Sequence, residues 1–467
     1  MRLRRPHAAK GSALGVMFAL AFLSGTAASV SFGAAKGLAQ TTRKPILPVS
    51  WPTYHGGQSR WGAYPEATYG GLRPAWTSPG LDGAVYAEPL WQGGRVYVAT
   101  EHDTVYALSL KTGRAVWRRH LGTPVPLRDL PCGDMNPLGI TGTPVIAGGR
   151  LYVAAEVARA QQRLYALDLG TGRLLASYGL DVPGTVAYAQ QQRAALTYLH
   201  GTVYVPLGSL YGDCGPYVGQ VVAVRPGQGT FAYRVPTQRE GAIWAPSGMA
   251  VGEGGDLYAA TGNSASANAW DGGDSVLRLS PALRLLGYFA PRDFERLNLQ
   301  DLDLGSTGPL PLPGGLIFQV GNEGVGYLLK AQSLGGVGHP LASGRVCAGA
   351  YGGEAYDGHH VYVPCVDGLV VVRVRADGVS VAWRSGGWNA GPPVVGGGAV
   401  FTVDETSGVL KVLQASTGRL LAEAALGAVP HFDSPALAPG VLLVDAGSHV
   451  LAFRLLGTQK AAKVSPH

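Results

Sequence analysis

A chain of 467 residues with 70 glycines, 32 prolines and only 14% charged residues is ill suited to long amphipathic helices and well suited to short buried strands joined by tight turns. Its formal net charge of +7 sits at the ends, where seven basic residues from Arg2 to Lys44 meet no acid and Lys460 and Lys463 lie in the tail. Without these nine charges the remainder carries about −2, which excludes a surface built to steer a polyanion such as nucleic acid.

The chain begins with the basic stretch MRLRRPHAAK, continues as a small and apolar run from about Ser12 to Phe32, and reaches alanine-rich sites ending at Ala28 or Ala39. That order is what an export signal over residues 1–39 requires, and it predicts a secreted, periplasmic or cell-surface protein. An uncleaved anchor is the alternative, because the run approaches a membrane-spanning length. A lead-in segment, residues 40–71, contains WPTYHGGQSRW from Trp51. It is followed by LRPAWTSPG from Leu72, which reads as an outer strand with no blade of its own.

From there one strand signature recurs eight times: a turn, usually with glycine, then a β-branched residue or leucine, a ring, and another strand former. It reads GGRVYVAT at Gly93, GGRLYVAA at Gly148, HGTVYVPL at His200, GGDLYAAT at Gly254, GGLIFQVG at Gly314, GHHVYVPC at Gly358, GGAVFTVD at Gly397 and PGVLLVDA at Pro439. The ring positions are Tyr97, Tyr152, Tyr204, Tyr258, Phe318, Tyr362, Phe401 and, degenerate, Leu443. A spacing of roughly 50 residues is that of propeller blades. The first unit shows the grammar: VYAEPLWQGG, RVYVATEHD, TVYALSLKTG and RAVWRRHLG alternate as four strands separated by turn residues. The eighth unit stops at Gly457 without a fourth strand. The predicted fold is therefore all-β, an eight-bladed β-propeller of four-stranded antiparallel blades over residues 72–458, closed by the amino-terminal strand and followed by a polar tail, 459–467.

In such a ring the connections into the innermost strand and those between the second and third strands open on one face. Cys347 and Cys365 reach that face within one blade, and Cys132 and Cys214 reach it from adjacent blades. The expected disulfides are Cys132–Cys214 and Cys347–Cys365, each contributing about 2–4 kcal/mol; four free buried thiols are the alternative.

VYALSLKTGRAVW at Val105 and LYALDLGTGRLLA at Leu164 resemble the repeat of the pyrroloquinoline-quinone (PQQ) type of eight-bladed propeller, and WPTYHGGQSRW is similar to the segment ahead of that propeller. The resemblance covers about residues 51–457. It implies a tryptophan packed between blades, here Trp117, with Ala176 and Tyr233 at the same place in the next two units. The superfamily it points to holds quinoprotein dehydrogenases, which carry PQQ on the central axis with Ca²⁺ and an aspartate base, and non-enzymatic scaffolds such as that of the outer-membrane β-barrel assembly machinery. The dehydrogenases often add a disulfide of two adjacent cysteines, and some carry a CxxCH haem site; this chain has neither.

The segments entering the eight inner strands converge on one mouth of the channel, the default ligand site of the architecture. Arg193, Trp244 and Asn389 are candidates for a flat anionic cofactor, with Trp244 close in sequence to the Arg239–Glu240 pair. Asp301 and Asp303, two apart, would share one side of an extended segment and suit a cation. His431 and Asp433 would likewise share a face, as a base and its orienting carboxylate. No nucleophile elbow, HExxH or nucleotide loop accompanies them. The leading expectation is an exported, monomeric scaffold that binds a ligand or protein at its loop faces without catalysis, touching a membrane only if the amino-terminal run stays uncleaved. The alternative is a soluble PQQ- and calcium-dependent dehydrogenase of alcohols or sugars.

Overall fold

The computed structural model describes residues 50–457 apart from Glu66, Ala267 and Asp377. The export signal, the first part of the lead-in segment and the polar tail lie outside the described residues. Eight sheets follow one another around a ring, antiparallel except where Gly336–Val337 adds in parallel to the outer strand Leu285–Ala290 of the fourth. In the first blade Leu90–Gln92, Arg95–Ala99, Thr104–Ser109 and Ala115–His120 run from the centre outward in that order. The eight ring positions are all buried, none more than 3% exposed. Their hydroxyls stitch neighbouring blades: Tyr97 donates to Leu169 O, Tyr204 to Pro281 O and Tyr258 to Ala331 O, each in the outer turn of the next blade.

Closure occurs as the chain ends implied. Gly71–Thr77 pairs antiparallel with His449–Leu456 and completes the sheet of Val441–Ala446 and Ala436–Ala438, so the eighth blade has four strands and the ring is closed by both ends of the propeller. Trp76 on the closing strand then packs on the turn of the first blade, its Nε1 donating to Leu110 O at 2.9 Å. Trp117 does the same to Leu169 O, and Trp383 to Ala415 O. Each indole covers a turn glycine, Gly113, Gly172 or Gly418, at φ between 68° and 74°; a Cβ on Gly113 would lie 2.4 Å from the ring of Trp76.

Both disulfides form as expected, Cys132–Cys214 with 6.2 Å and Cys347–Cys365 with 6.3 Å between Cα atoms. Among the described residues no helix is long and apolar enough to cross a membrane. The one α-helix described, Phe294–Gln300, precedes the fifth blade.

The lead-in segment holds a surprise for sequence reading: it fills the channel at the level of the inner strands. Ser50–Trp51 pairs with Trp91 and Gln92 of the first blade. Onward, Pro52 O accepts the N–H of Ile146, Gln58 O that of Val251, Trp61 O that of Tyr356 and Gly62 O that of Val395, while Trp61 Nε1 donates to Pro311 O and Gln58 Nε2 to Tyr198 O. His55 reaches Ser434 of the eighth blade, so this segment touches every blade. Trp51, Tyr54 and Tyr64 are at most 2% exposed, burial worth on the order of 3 kcal/mol each. Arg60 is buried at the centre with all its donors directed to oxygens, those of Met249, Thr53, Tyr54, Leu196 and Thr197.

Candidate functional site

Above this plug the connections converge on a mouth with three adjoining cavities. One, of about 290 Å³, is lined by Asp213, Glu240, Asn263, Asp301 and Asp303. The second, of about 390 Å³, adds Trp244, Arg193, Tyr351 and Phe432 to the two aspartates. The third, of about 550 Å³, runs from Arg193, Tyr351 and Phe432 to Asn389, Glu405 and His431.

Asp303 is the centre of the first two. Its Oδ2 accepts Trp244 Nε1–H at 2.7 Å and its Oδ1 accepts the Asn263 N–H at 2.7 Å. Burial pushes its carboxyl up to about 6, against the pull of those two donors. Asp301 accepts Asn263 Nδ2–H at 2.6 Å. The expectation of an extended segment was incorrect, because Asp301 caps the helix Phe294–Gln300 in the left-handed region at φ 55°. A helix end rather than a strand aims both carboxylates at one cavity.

Asn263 Oδ1 is buried and accepts no hydrogen bond, so an oxygen donor stands free beside two carboxylates. That is the donor set a hard cation takes. Arg193 Nε is likewise buried without an acceptor, and its guanidinium lies 5.0 Å over the Phe432 ring. A buried Nε–H without an acceptor, in the same cavity as an indole, fits a flat anion.

The proposed His431–Asp433 pair does not form. His431 is exposed with Nδ1 3.7 Å from Glu405, which raises its pKa. Asp433 points inward, 1% exposed, and burial together with the charge of Glu405 holds its carboxyl well above the usual range. The backbone at Phe432 has φ 67°, which breaks the alternation on which the shared face depended. Asn389 donates to Glu405 Oε2 at 3.3 Å and belongs to the third cavity, apart from Trp244. Arg239 and Glu240 do pair, at 2.6 Å, with Arg239 half exposed, while Trp244 turns to Asp303 instead.

Asp213, Asn263 and Glu405 were missed. All three follow second strands, and the geometry that paired the cysteines places those connections on the same mouth. Applied to polar residues as well as to cysteines, it would have found them.

A family model described as outer membrane protein assembly factor BamB matches residues 54–283. No curated protein matches the chain by sequence. Among solved structures, the quinohemoprotein alcohol dehydrogenase ADHIIG of Pseudomonas putida HK5 is similar with a TM-score of 0.69 at 15% identity, over 90% of this chain and 82% of that one. The quinohemoprotein alcohol dehydrogenase of Comamonas testosteroni gives 0.68 at 15% identity over the same shares. A europium-containing methanol dehydrogenase gives 0.66 at 15% identity, over 87% of this chain and 98% of the other. The expectation of a scaffold without catalysis is corrected by these three neighbours, each of which is named as an alcohol or methanol dehydrogenase and so favours the alternative reading. Repeat, ring closure, interblade tryptophans and these matches agree on the fold: an eight-bladed β-propeller similar to those of the PQQ-like type.

Proposed function

We propose that the protein is an exported quinoprotein dehydrogenase that oxidises an alcohol or sugar hydroxyl at this mouth, with PQQ and a hard cation as cofactors. The observation that carries the reading is Asp303, fixed between Trp244 and Asn263 next to two buried atoms without hydrogen-bond partners, Asn263 Oδ1 and Arg193 Nε. Asn263 Oδ1 and Asp301 would hold the cation, of the calcium or lanthanide type, europium being named for one similar structure. Trp244 would support the flat face of the quinone and Arg193 would meet its carboxylates. When bound, the two supply the chemistry: the quinone accepts two electrons as the alcohol becomes a carbonyl, and the cation polarises oxygen. Asp303 takes the hydroxyl proton, and its two donors keep the receiving carboxylate oriented while it does so. The two disulfides and the order of the amino terminus support export. Without a CxxCH, electrons leave to a separate acceptor.

The test is to incubate the purified protein with PQQ and Ca²⁺ or Eu³⁺, desalt it, and measure quinone absorbance and dye reduction with alcohols and sugars. Retained quinone with activity is expected, and Asp303→Asn should keep the quinone while losing at least about 100-fold in rate. A protein that emerges from desalting without quinone under both metals sinks the reading.

A further inference from the structure

Phe432 stands in an unusual place. Of the twelve non-glycine residues with positive φ among those described, it alone has an aromatic carbocycle, and a bulky side chain in that region is costly. Something must hold it there, and the holder is Glu405. That side chain is only 4% exposed, its Oε1 accepts the Phe432 N–H at 2.6 Å, and its Oε2 accepts Asn389 Nδ2–H while facing His431.

The ring itself is gripped on several sides. It lies 6.0 Å from Trp244 at 48°, 6.3 Å from Tyr351 at 20°, and under the Arg193 guanidinium. It also borders both of the larger cavities, the Trp244–Asp303 side and the Asn389–Glu405 side. Phe432 is thus the partition between them and the wall opposite Trp244. A flat group stacked between two parallel rings needs about 3.5 Å on each face, hence about 7 Å between them. The present 6.0 Å with tilt is too narrow. One of the two walls must turn, and Trp244 is tied to Asp303 through Nε1. Phe432 is held through its backbone N–H and its ring makes no hydrogen bond, so the ring of Phe432 is the wall that can turn.

Resting on the proposed function, we infer that Phe432 is the movable second wall of the cofactor slot and that Glu405 is a positioning residue which latches it over the bound ring.

The experiment compares PQQ affinity, by quenching of tryptophan fluorescence and by absorbance retained after desalting, in the wild type, Phe432→Ala, Phe432→Leu, Phe432→Tyr, Glu405→Ala and the Phe432→Ala/Glu405→Ala double variant, with thermal midpoints recorded for each. The expected result is a loss of about tenfold or more for Phe432→Ala and Phe432→Leu, and near-native affinity for Phe432→Tyr. The double variant should be no weaker than Phe432→Ala alone, because Glu405 acts through the ring. If the wild type binds PQQ and both ring-less variants bind it equally well, the wall is overturned while the cofactor reading stands. If the two alanine substitutions add, the latch is overturned. A wild type that binds no PQQ removes the reading on which both rest.

Discussion

At the residue scale the plug turns on hydrogen accounting around His55. Its Nδ1 faces the carbonyls of Glu354 at 3.0 Å and Arg60 at 3.3 Å, so that nitrogen carries the proton. Burial drops the imidazole pKa to about 3, leaving it neutral with Nε2 as an acceptor 3.2 Å from Ser434 Oγ. The Ser434 hydroxyl also lies 2.9 Å from Glu88 Oε2 and has one hydrogen for two acceptors. The account closes when Glu88 carries a proton of its own, in keeping with a carboxyl pushed up to about 8 by burial. Its other oxygen accepts the N–H of His55 and the indole of Trp51. Glu88→Gln, neutral and of the same shape, should therefore cost no more than about 1 kcal/mol, whereas Glu88→Ala, which strips the acceptor from two buried donors and the donor from Ser434 Oγ, should cost about 3 kcal/mol. Urea denaturation of the two variants checks this, and equal losses would refute the protonated assignment.

At the element scale the fold depends on indoles covering turn glycines. Gly93 and Gly113 have similar backbones, φ 59° and 69°, yet a Cβ at Gly93 meets nothing within 4 Å and one at Gly113 runs into Trp76. Gly93→Ala should cost about 1 kcal/mol from backbone strain alone. Gly113→Ala should cost about 3 kcal/mol, since it also unseats the closing strand. Comparable midpoint shifts in thermal unfolding would show that the indole contact is incidental. The alternation and turn chemistry of each blade were legible because they are local. Arg193, Trp244 and Asp303 could be picked from segments entering inner strands for the same reason. The helix end at Asp301 and the left-handed turn at Phe432 were not legible, because neither Asn-Leu-Gln-Asp nor His-Phe-Asp announces a break from extended backbone.

At the scale of the whole molecule, buried carboxyls set the pH response. Glu88 and Glu354 are pushed to about 8, Glu101 to about 7 and Asp103 to about 9, burial being the first cause in each. The folded state keeps protons that the unfolded chain releases near pH 4, so this contribution is full below that pH and is lost as pH rises through 7 to 9. His55 acts oppositely: with a folded pKa near 3 it favours folding above about 6.5 and loses that benefit as pH falls. One histidine against these four acids, with Asp303 and Asp433 raised as well, gives a stability maximum on the mildly acidic side, and the thermal midpoint should be about 5 °C or more higher at pH 5.5 than at pH 9. A midpoint that climbs steadily to pH 9 would contradict the assignment. Deleting residues 45–82 removes both plug and closing strand and should abolish cooperative folding, which a soluble truncation with a single sharp transition would disprove.

What the sequence determined by itself is the blade, its eightfold count, the closure and the cysteine pairs, since strand period, turn glycines and ring positions all act over a few residues or repeat at a fixed interval. The plug and the site were decided only by the tertiary structure. Arg193, Trp244, Asn263, Asp303, Tyr351, Glu405 and Phe432 come from separate blades or their connections, and no local rule relates them. They meet because closing the ring fixes the radius at which eight loops converge, and the lead-in segment can fill the axis only once that ring exists.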